Sequence, residues 1–383
     1  MINLTHAPIP KLSIIAKAIF NKRMPLNLLA KSWLTNNEKG YWFSRSTWSI
    51  YIIVKFRLKI SGKNNLNLWL PDYFCNEAIV AIRSLNIKLS FYPILSNGKP
   101  DLTVCNRMFD SAQPDVILYV NYFGEHLFSK GLSDIAKKSK AWLIEDSVHC
   151  LMPEKGSRSY GDFIIYSPHK LLSVPDGALL VISDRGPSEI TQALLEDCDF
   201  EFIYRSLIER SKSLDLMLFK WLSKRLIQKI GLHRFYNPKA IINNEILNIE
   251  QLSHPEMSKF SQKLLSVMVN LEEESNHRKD IQKQWSESLK DNIAVKDLEL
   301  KMTSDYTPYL AKIASKGDMK AKNIIDLLKN SKIPISTWPD LAPEVLQNPD
   351  VHKNAIEMSF SYVFFPVHSS IKKRNLKSVF RSI

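Results

Sequence analysis

Between about residues 40 and 185, short apolar runs alternate with stretches whose apolar positions recur every three or four residues. "NLWLP", "LSFYPIL", "DVILYVNYFG" and "AWLIED" read as strands, whereas "NEAIVAIRSLN" and "GLSDIAKKSK" have helical spacing. Polar or Gly/Pro-containing breaks such as "SNGKPD" supply the connections. Strands alternating with helices predict an α/β fold, a mainly parallel sheet flanked by helices. Residues 201–235 are long, helical in composition and basic, and a second helix is expected over about 255–290. The last hundred residues mix strand-like pieces, "DYTPYLAKI" and "IPISTW", with helices, so a smaller C-terminal α+β domain is expected. The predicted division is a large domain over 1–240, with 1–40 as an N-terminal extension, and a small domain over 241–383.

A chain of 383 residues is longer than one hydrophobic core usually supports, which agrees with two domains. Its 45% hydrophobic and 24% charged residues are those of an ordinary globular protein, and its apolar runs fall far short of the roughly 18 residues of a membrane span. The N-terminus has charges interspersed where a signal peptide would have a continuous apolar core, so the cytoplasm is the expected location. Cys75, Cys105, Cys150 and Cys198 show neither zinc-site nor disulfide spacing, and no metal site is predicted.

Charge changes the picture only when it is located. The net charge of +13 is concentrated in residues 1–63 (+10), 201–240 (+6) and 371–383 (+5), leaving −8 elsewhere. Such patches favour an anionic partner: a phosphorylated metabolite, a weakly held anionic membrane surface or nucleic acid. They are equally what a solvated surface needs for solubility. No specific nucleic-acid motif is present, so none is expected as a partner. In 201–235, Arg225 shares a helical sector with Leu214 and Leu218, so a membrane-surface helix and a packed or subunit-contact helix both stay open.

Ligands of parallel sheets sit outside the carboxyl ends of strands. Three runs end there in polar residues: "NYFG", "EDSVH" and "SPHK". They place Asp146, His149 and, 24 residues after Asp146, Lys170 at successive strand ends. A lysine amine forms an imine with an aldehyde cofactor, and pyridoxal phosphate needs a carboxylate at its ring nitrogen to act as an electron sink. Each residue alone reads as structural; the combination is far more specific.

With these motifs, "PDVILYVNYFG", "AWLIEDSVHCL" and "YGDFIIYSPHKLLSVPDGALLV", the sequence resembles fold-type-I pyridoxal-phosphate enzymes, in particular the DegT/DnrJ-type sugar aminotransferases. Similarity continues through "LWLPDYFCNEAIVAI", "NHRKDIQKQW", "STWPDL" and "FFPVHSSI". The resemblance implies that Lys170 holds the cofactor covalently, Asp146 faces its ring nitrogen, and His149 lies by the ring and its phenolic oxygen. It implies that Ser167 donates to the phosphate. "FSRSTWSIY" stands at the family's phosphate turn, with Ser46 and Thr47 as cradle residues and Arg45 adding charge. Ser44 takes the place of a glycine there. The ring-stacking aromatic is assigned to Phe74, although counting from Pro71 lands on Cys75. The short S-P-H-K spacing is similar to class V aminotransferases; a desulfurase is disfavoured because no cysteine follows Cys198. Arg374 and Arg381 are the C-terminal candidates for binding a substrate carboxylate.

The implied reaction is transfer of an amino group from glutamate to a nucleotide-linked keto-sugar, for surface polysaccharide synthesis of the O-antigen or lipopolysaccharide kind, by a homodimer. Two other readings stay open: a non-catalytic protein of the same fold that binds an anionic surface or nucleic acid, and a class V-like enzyme acting on another substrate.

Overall fold

The computed structural model describes residues 4–35, 37–153, 160–183, 185–188, 198–209, 216–229, 254–268, 270–290, 295–302, 305–317, 319–328, 333–338 and 340–372, with Leu252 and Leu376. Its centre is a seven-stranded sheet: β1 Lys39–Phe43, β2 Leu66–Pro71, β3 Ile87–Tyr92, β4 Val116–Val120, β5 Trp142–Ser147, β6 Phe163–Tyr166 and β7 Ala178–Ile182. The spatial order is β1-β7-β6-β5-β4-β2-β3. Strands β3, β2, β4, β5 and β6 are mutually parallel, whereas β7 runs antiparallel to both β6 and β1. Strands β4, β5, β6 and β7 are buried throughout, as near-continuous apolar runs require. The α/β fold with a mainly parallel sheet is therefore present.

The reversal at β7 has a local cause. A parallel crossover needs a dozen or more residues, usually with a long helix. Between Tyr166 and Ala178 the chain has room only for α6, Pro168–Leu171, so β7 returns beside β6 in the opposite sense. Lys170 lies inside this short connection, above the carboxyl end of β6.

Before α6 come α1 Leu12–Phe20, α2 Leu26–Ala30, α3 Ser46–Ser61, α4 Leu102–Ser111 and α5 Lys130–Ser139. Trp48, Ile50, Ile52, Ile53, Val54 and Phe56 make α3 apolar nearly all round, and it is buried against the sheet accordingly. "NEAIVAIRSLN" forms two 3₁₀ turns, Asn76–Ile79 and Ile82–Ser84, in place of one helix. Its groups are claimed from outside: the Asn76 amide donates to the Asp340 carbonyl at 2.7 Å, and Arg83 pairs with Glu344. The expected 255–290 helix divides into Lys259–Val267 and Leu271–Lys290. Asn270 starts the second by accepting from the Glu273 amide at 3.0 Å, a capping arrangement that ends one helix and begins the next. Of the 201–235 helix, Cys198–Glu209 and Leu216–Lys229 are seen, and positions 210–215 and 230–235 lie outside the described residues.

The C-terminal part contains an antiparallel three-stranded sheet in the order β10-β9-β8: β8 Leu298–Lys301, β9 Leu310–Ser315 and β10 Val363–Pro366. "DYTPYLAKI" becomes a strand only after Pro308, which lacks a ladder donor, and "IPISTW" makes a single bridge, Ser336 to Phe364. Ile281, Trp285 and Leu289 pack on this small sheet. Met257, Leu264, Leu265 and Leu271 instead pack with Leu171, Leu172 and Leu179 beside the large sheet.

Candidate active site

Ends of β4, β5 and β6 meet at one edge. Asn121, just past β4, donates to Glu145 at 2.9 Å and Ser147 at 2.8 Å, and its amide bonds the Asp146 carbonyl at 3.0 Å. These bonds fix Asp146 relative to its neighbours. Asp146 is 3% exposed, and its carboxylate accepts from the Val148 amide at 3.2 Å. Burial pushes its carboxyl up to about 6, against the opposing pull of nearby Lys170.

Lys170 is half-buried on α6, its amide bonded to the Ser167 carbonyl at 2.9 Å. Burial lowers its ammonium pKa, with Arg45 acting in the same direction and Asp146 against it. A lysine poised to lose its proton beside a carboxylate reluctant to be charged is the pairing that imine chemistry uses.

His149 is fully buried, stacked on Tyr309 with ring centroids 4.3 Å apart and on Phe123 at 5.8 Å, with Trp338 at its edge. Burial holds its pKa well below the ordinary value, so the ring is neutral. Its Nδ1 accepts from the Phe123 amide at 3.3 Å, which places the proton on Nε2. That Nε2 is a buried donor with no protein partner among the described residues. A buried donor left unpaired costs free energy unless a ligand accepts from it.

The expected phosphate cradle shows the same signature. α3 begins at Ser46 with Arg45 as its N-cap and no side chain capping its first turn. Its positive end and the amides of its first turn face out of the helix, the Trp48 amide also bonding the Arg45 carbonyl at 3.2 Å. Thr47 is 4% exposed and its Oγ1 is buried without a partner among the described residues; Ser46 is half-buried beside it. Arg45 feels Asp176, which is fixed by the Ser258 amide and hydroxyl, each at 3.1 Å. Ser44, the serine standing for glycine, does not need a left-handed backbone. Its amide bonds the Pro255 carbonyl, its hydroxyl the His254 carbonyl, and its own carbonyl accepts from Gly177 at 2.9 Å. Gly177, at φ +133°, also offers its carbonyl to the His169 Nδ1 at 3.0 Å, and so ties the α3 turn to α6. Ser167 Oγ lies 3.0 Å from the same His169 nitrogen.

Lys170, Asp146, Ser167 and His149 are thus gathered at one sheet edge, with Arg45 of the Ser46/Thr47 turn electrically coupled to Lys170. Phe74 is 3% exposed within the main core. The neighbour that couples to both Lys170 and Tyr309 is Cys75, the position reached by strict counting. Arg374 and Arg381 lie outside the described residues.

Three further residues belong to the edge. Tyr309 and Trp338 wall His149. Arg278 is 1% exposed, pairs with Glu274 at 2.8 Å, and donates to the carbonyls of Leu171, Pro308 and Tyr309. It thereby clamps α6 to the segment leading into β9. Its motif, "NHRKDIQKQW", and Trp338 within "STWPDL" were visible in the sequence, whereas Tyr309 stood out only as part of a strand-like run.

Gly124 closes the β4 end at φ +98°, where a Cβ would sit 2.4 Å from the Thr307 carbonyl oxygen. Gly124→Ala is therefore expected to destabilise the fold by about 2 kcal/mol, through left-handed strain and a backbone clash. A denaturant midpoint equal to that of the parent protein would show that the Thr307 segment yields freely.

No family model matches the sequence, and no curated protein does either. Among solved structures, the fold is that of pyridoxal-phosphate-dependent transferases. Among the matching structures is a DegT DnrJ EryC1 StrS aminotransferase from Brucella abortus, with a TM-score of 0.63 at 12% identity, covering 96% of this chain and 94% of that one. Spr1654 from Streptococcus pneumoniae in its PMP form superposes with a TM-score of 0.70 at 12% identity, covering 99% of this chain and 96% of that one. Helicobacter pylori PseC, an aminotransferase involved in the biosynthesis of pseudoaminic acid, gives 0.67 at 12% identity over 99% and 98% of the two chains. E. coli GDP-4-keto-6-deoxy-D-mannose-3-dehydratase with bound hydrated PLP gives 0.63 at 16% identity over 99% and 100%.

Proposed function

We propose that this protein is a pyridoxal-phosphate-dependent aminotransferase that moves an amino group from glutamate to a nucleotide-linked keto-sugar, in the cytoplasm and as a homodimer, for surface polysaccharide synthesis. The observation that carries the reading is the set of unsatisfied groups around Lys170. A buried histidine donor and a buried threonine hydroxyl lack what a phenolic oxygen and a phosphate would supply, and the buried Asp146 carboxylate, which accepts from the Val148 amide, suits a protonated ring nitrogen. When bound, the cofactor supplies an electron sink for the carbon that exchanges its amine. Asp146 would keep the ring nitrogen protonated through a charge-assisted hydrogen bond. The Lys170 amine, its pKa lowered by burial, would be the group that takes up and returns the proton of the reacting substrate carbon. His149 Nε2–H would hold the phenolic oxygen, while Thr47, the first α3 amides and Arg45 would hold the phosphate. Solved neighbours in PMP and PLP-bound forms support the cofactor, and PseC together with DesI, a similar structure solved in the presence of its TDP-sugar product, supports the sugar substrate. The basic segments suit a diphosphate-bearing substrate.

Two measurements test the reading. An absorbance scan of protein mixed with pyridoxal phosphate should show a visible band that borohydride bleaches while fixing the cofactor on Lys170; a protein that stays colourless and unlabelled would favour the non-catalytic reading. Mass spectrometry after incubation with glutamate and a panel of keto-sugar nucleotides should show an amino sugar. Loss of water in its place would assign the dehydratase chemistry of the E. coli neighbour.

Thr47→Val tests the phosphate seat separately. Removing an unpaired buried hydroxyl should leave the cofactor-free protein as stable as before or slightly more so. Affinity for pyridoxal phosphate should fall about tenfold, the scale of one hydrogen bond to a charged group, while affinity for pyridoxal without phosphate stays the same. Equal losses for both compounds would move the phosphate elsewhere.

A further inference from the structure

The helix α1, "LSIIAKAIF", is apolar on two sides, yet the protein covers only one. Its inner side is used: Ala18 is fully buried, and Ile14 packs with Leu264 and Leu265 of the Lys259–Val267 helix. On the outer side Leu12 is 70%, Ile19 56% and Phe20 89% exposed. At 100° per residue these three fall within about 100° of one another, with Ala16 between them, so they form one stripe. A large exposed phenyl ring beside two exposed aliphatic side chains marks a contact surface.

The charge along this segment has one sign, although Glu273 and Glu274 of the Leu271–Lys290 helix line a cavity together with Lys11 and Leu12. Lys11, Lys17, Lys22 and Arg23 are all exposed, and no acidic residue occurs from residue 4 to residue 37. The first acid, Glu38, is buried and paired with Arg185 at 2.6 Å. A second copy docking through the same stripe about a two-fold axis would set these cations against their own images, with no carboxylate in the segment to offset them. A surface that offers both negative charge and an apolar layer under it meets neither objection. We propose that α1 docks the protein on the surface of an anionic lipid bilayer, with Leu12, Ile19 and Phe20 entering the interface and Lys11, Lys17, Lys22 and Arg23 facing the headgroups. The contact lies on a different element from Lys170 and stands independently of the chemistry proposed for that site.

Co-sedimentation of the full chain with vesicles tests this, using equimolar phosphatidylglycerol and phosphatidylcholine against pure phosphatidylcholine. In 0.1 M NaCl the expected binding to the anionic vesicles is at least tenfold tighter than to the neutral ones, and 0.5 M NaCl should weaken it severalfold as screening shortens the reach of the cations. L12Q/I19Q/F20Q and, separately, K17E/K22E/R23E should each lower binding tenfold or more, with unchanged thermal unfolding and unchanged mass by light scattering. Absence of binding to anionic vesicles would overturn the proposal. So would variants that bind like the parent protein, or a halving of the lipid-free mass in L12Q/I19Q/F20Q, which would assign the stripe to a second copy.

Discussion

Lys170→Ala is expected to lower turnover by about 10³-fold or more and to abolish borohydride fixation of the cofactor. The first effect follows from losing a positioned proton carrier, which alone contributes about 10² to 10⁴-fold. The second follows from losing the only amine on the short connection between β6 and β7. Near the carboxyl ends of β4, β5 and β6, Arg45 is the other coupled cation, and a guanidinium cannot substitute as a nucleophile. The variant has a second readout that a bystander lysine would not move. Among the described residues Lys170 is the charge that lowers the Asp146 carboxyl, so its removal should raise that value above about 6 and shift the acid-side stability profile upward. Retained turnover, or a cofactor still fixed by borohydride, would mean that Lys170 is not the anchor.

Asp146→Asn should separate stability from function. In the cofactor-free protein this carboxyl has its folded value raised to about 6, above its unfolded value near 4. Its favourable contribution is then fully present below about pH 4 and is lost as pH rises through about 6, because the folded state holds the proton longer. At pH 7 the ionised, buried carboxylate costs about 3 kcal/mol relative to its protonated form at low pH. An asparagine is never ionised, so the cofactor-free variant should melt a few °C higher than the parent at pH 7, with the difference vanishing near pH 4. With cofactor present the order should reverse. The ring nitrogen loses its anionic partner, so the variant should gain less stability from pyridoxal phosphate and turn over at least about a hundredfold more slowly. A variant no more stable than the parent without cofactor would show that the Val148 amide and Lys170 already compensate the charge.

The sequence by itself determined the kinds of element and the residues at strand ends. "VILYV" and "WLIED" announce buried strands because their apolar runs are local, and Asp146, His149 and Lys170 stand out because polar residues interrupt such runs where a sheet presents its ligand edge. Other features were decided only by the tertiary structure. That β7 runs antiparallel depends on how little chain lies between β6 and β7, and the strand pattern alone does not report the sense of pairing. Tyr309, Trp338 and Arg278 reach the site from far along the chain, and contacts between distant segments leave no periodic trace. The ring-wall position shows the limit most clearly: the sequence offers Phe74 by chemistry and Cys75 by counting, and in the fold Phe74 is buried in the main core while Cys75 is electrostatically linked to Lys170. A one-residue offset after a strand turns a side chain to the opposite face, and only the packing of the sheet decides which face meets the site.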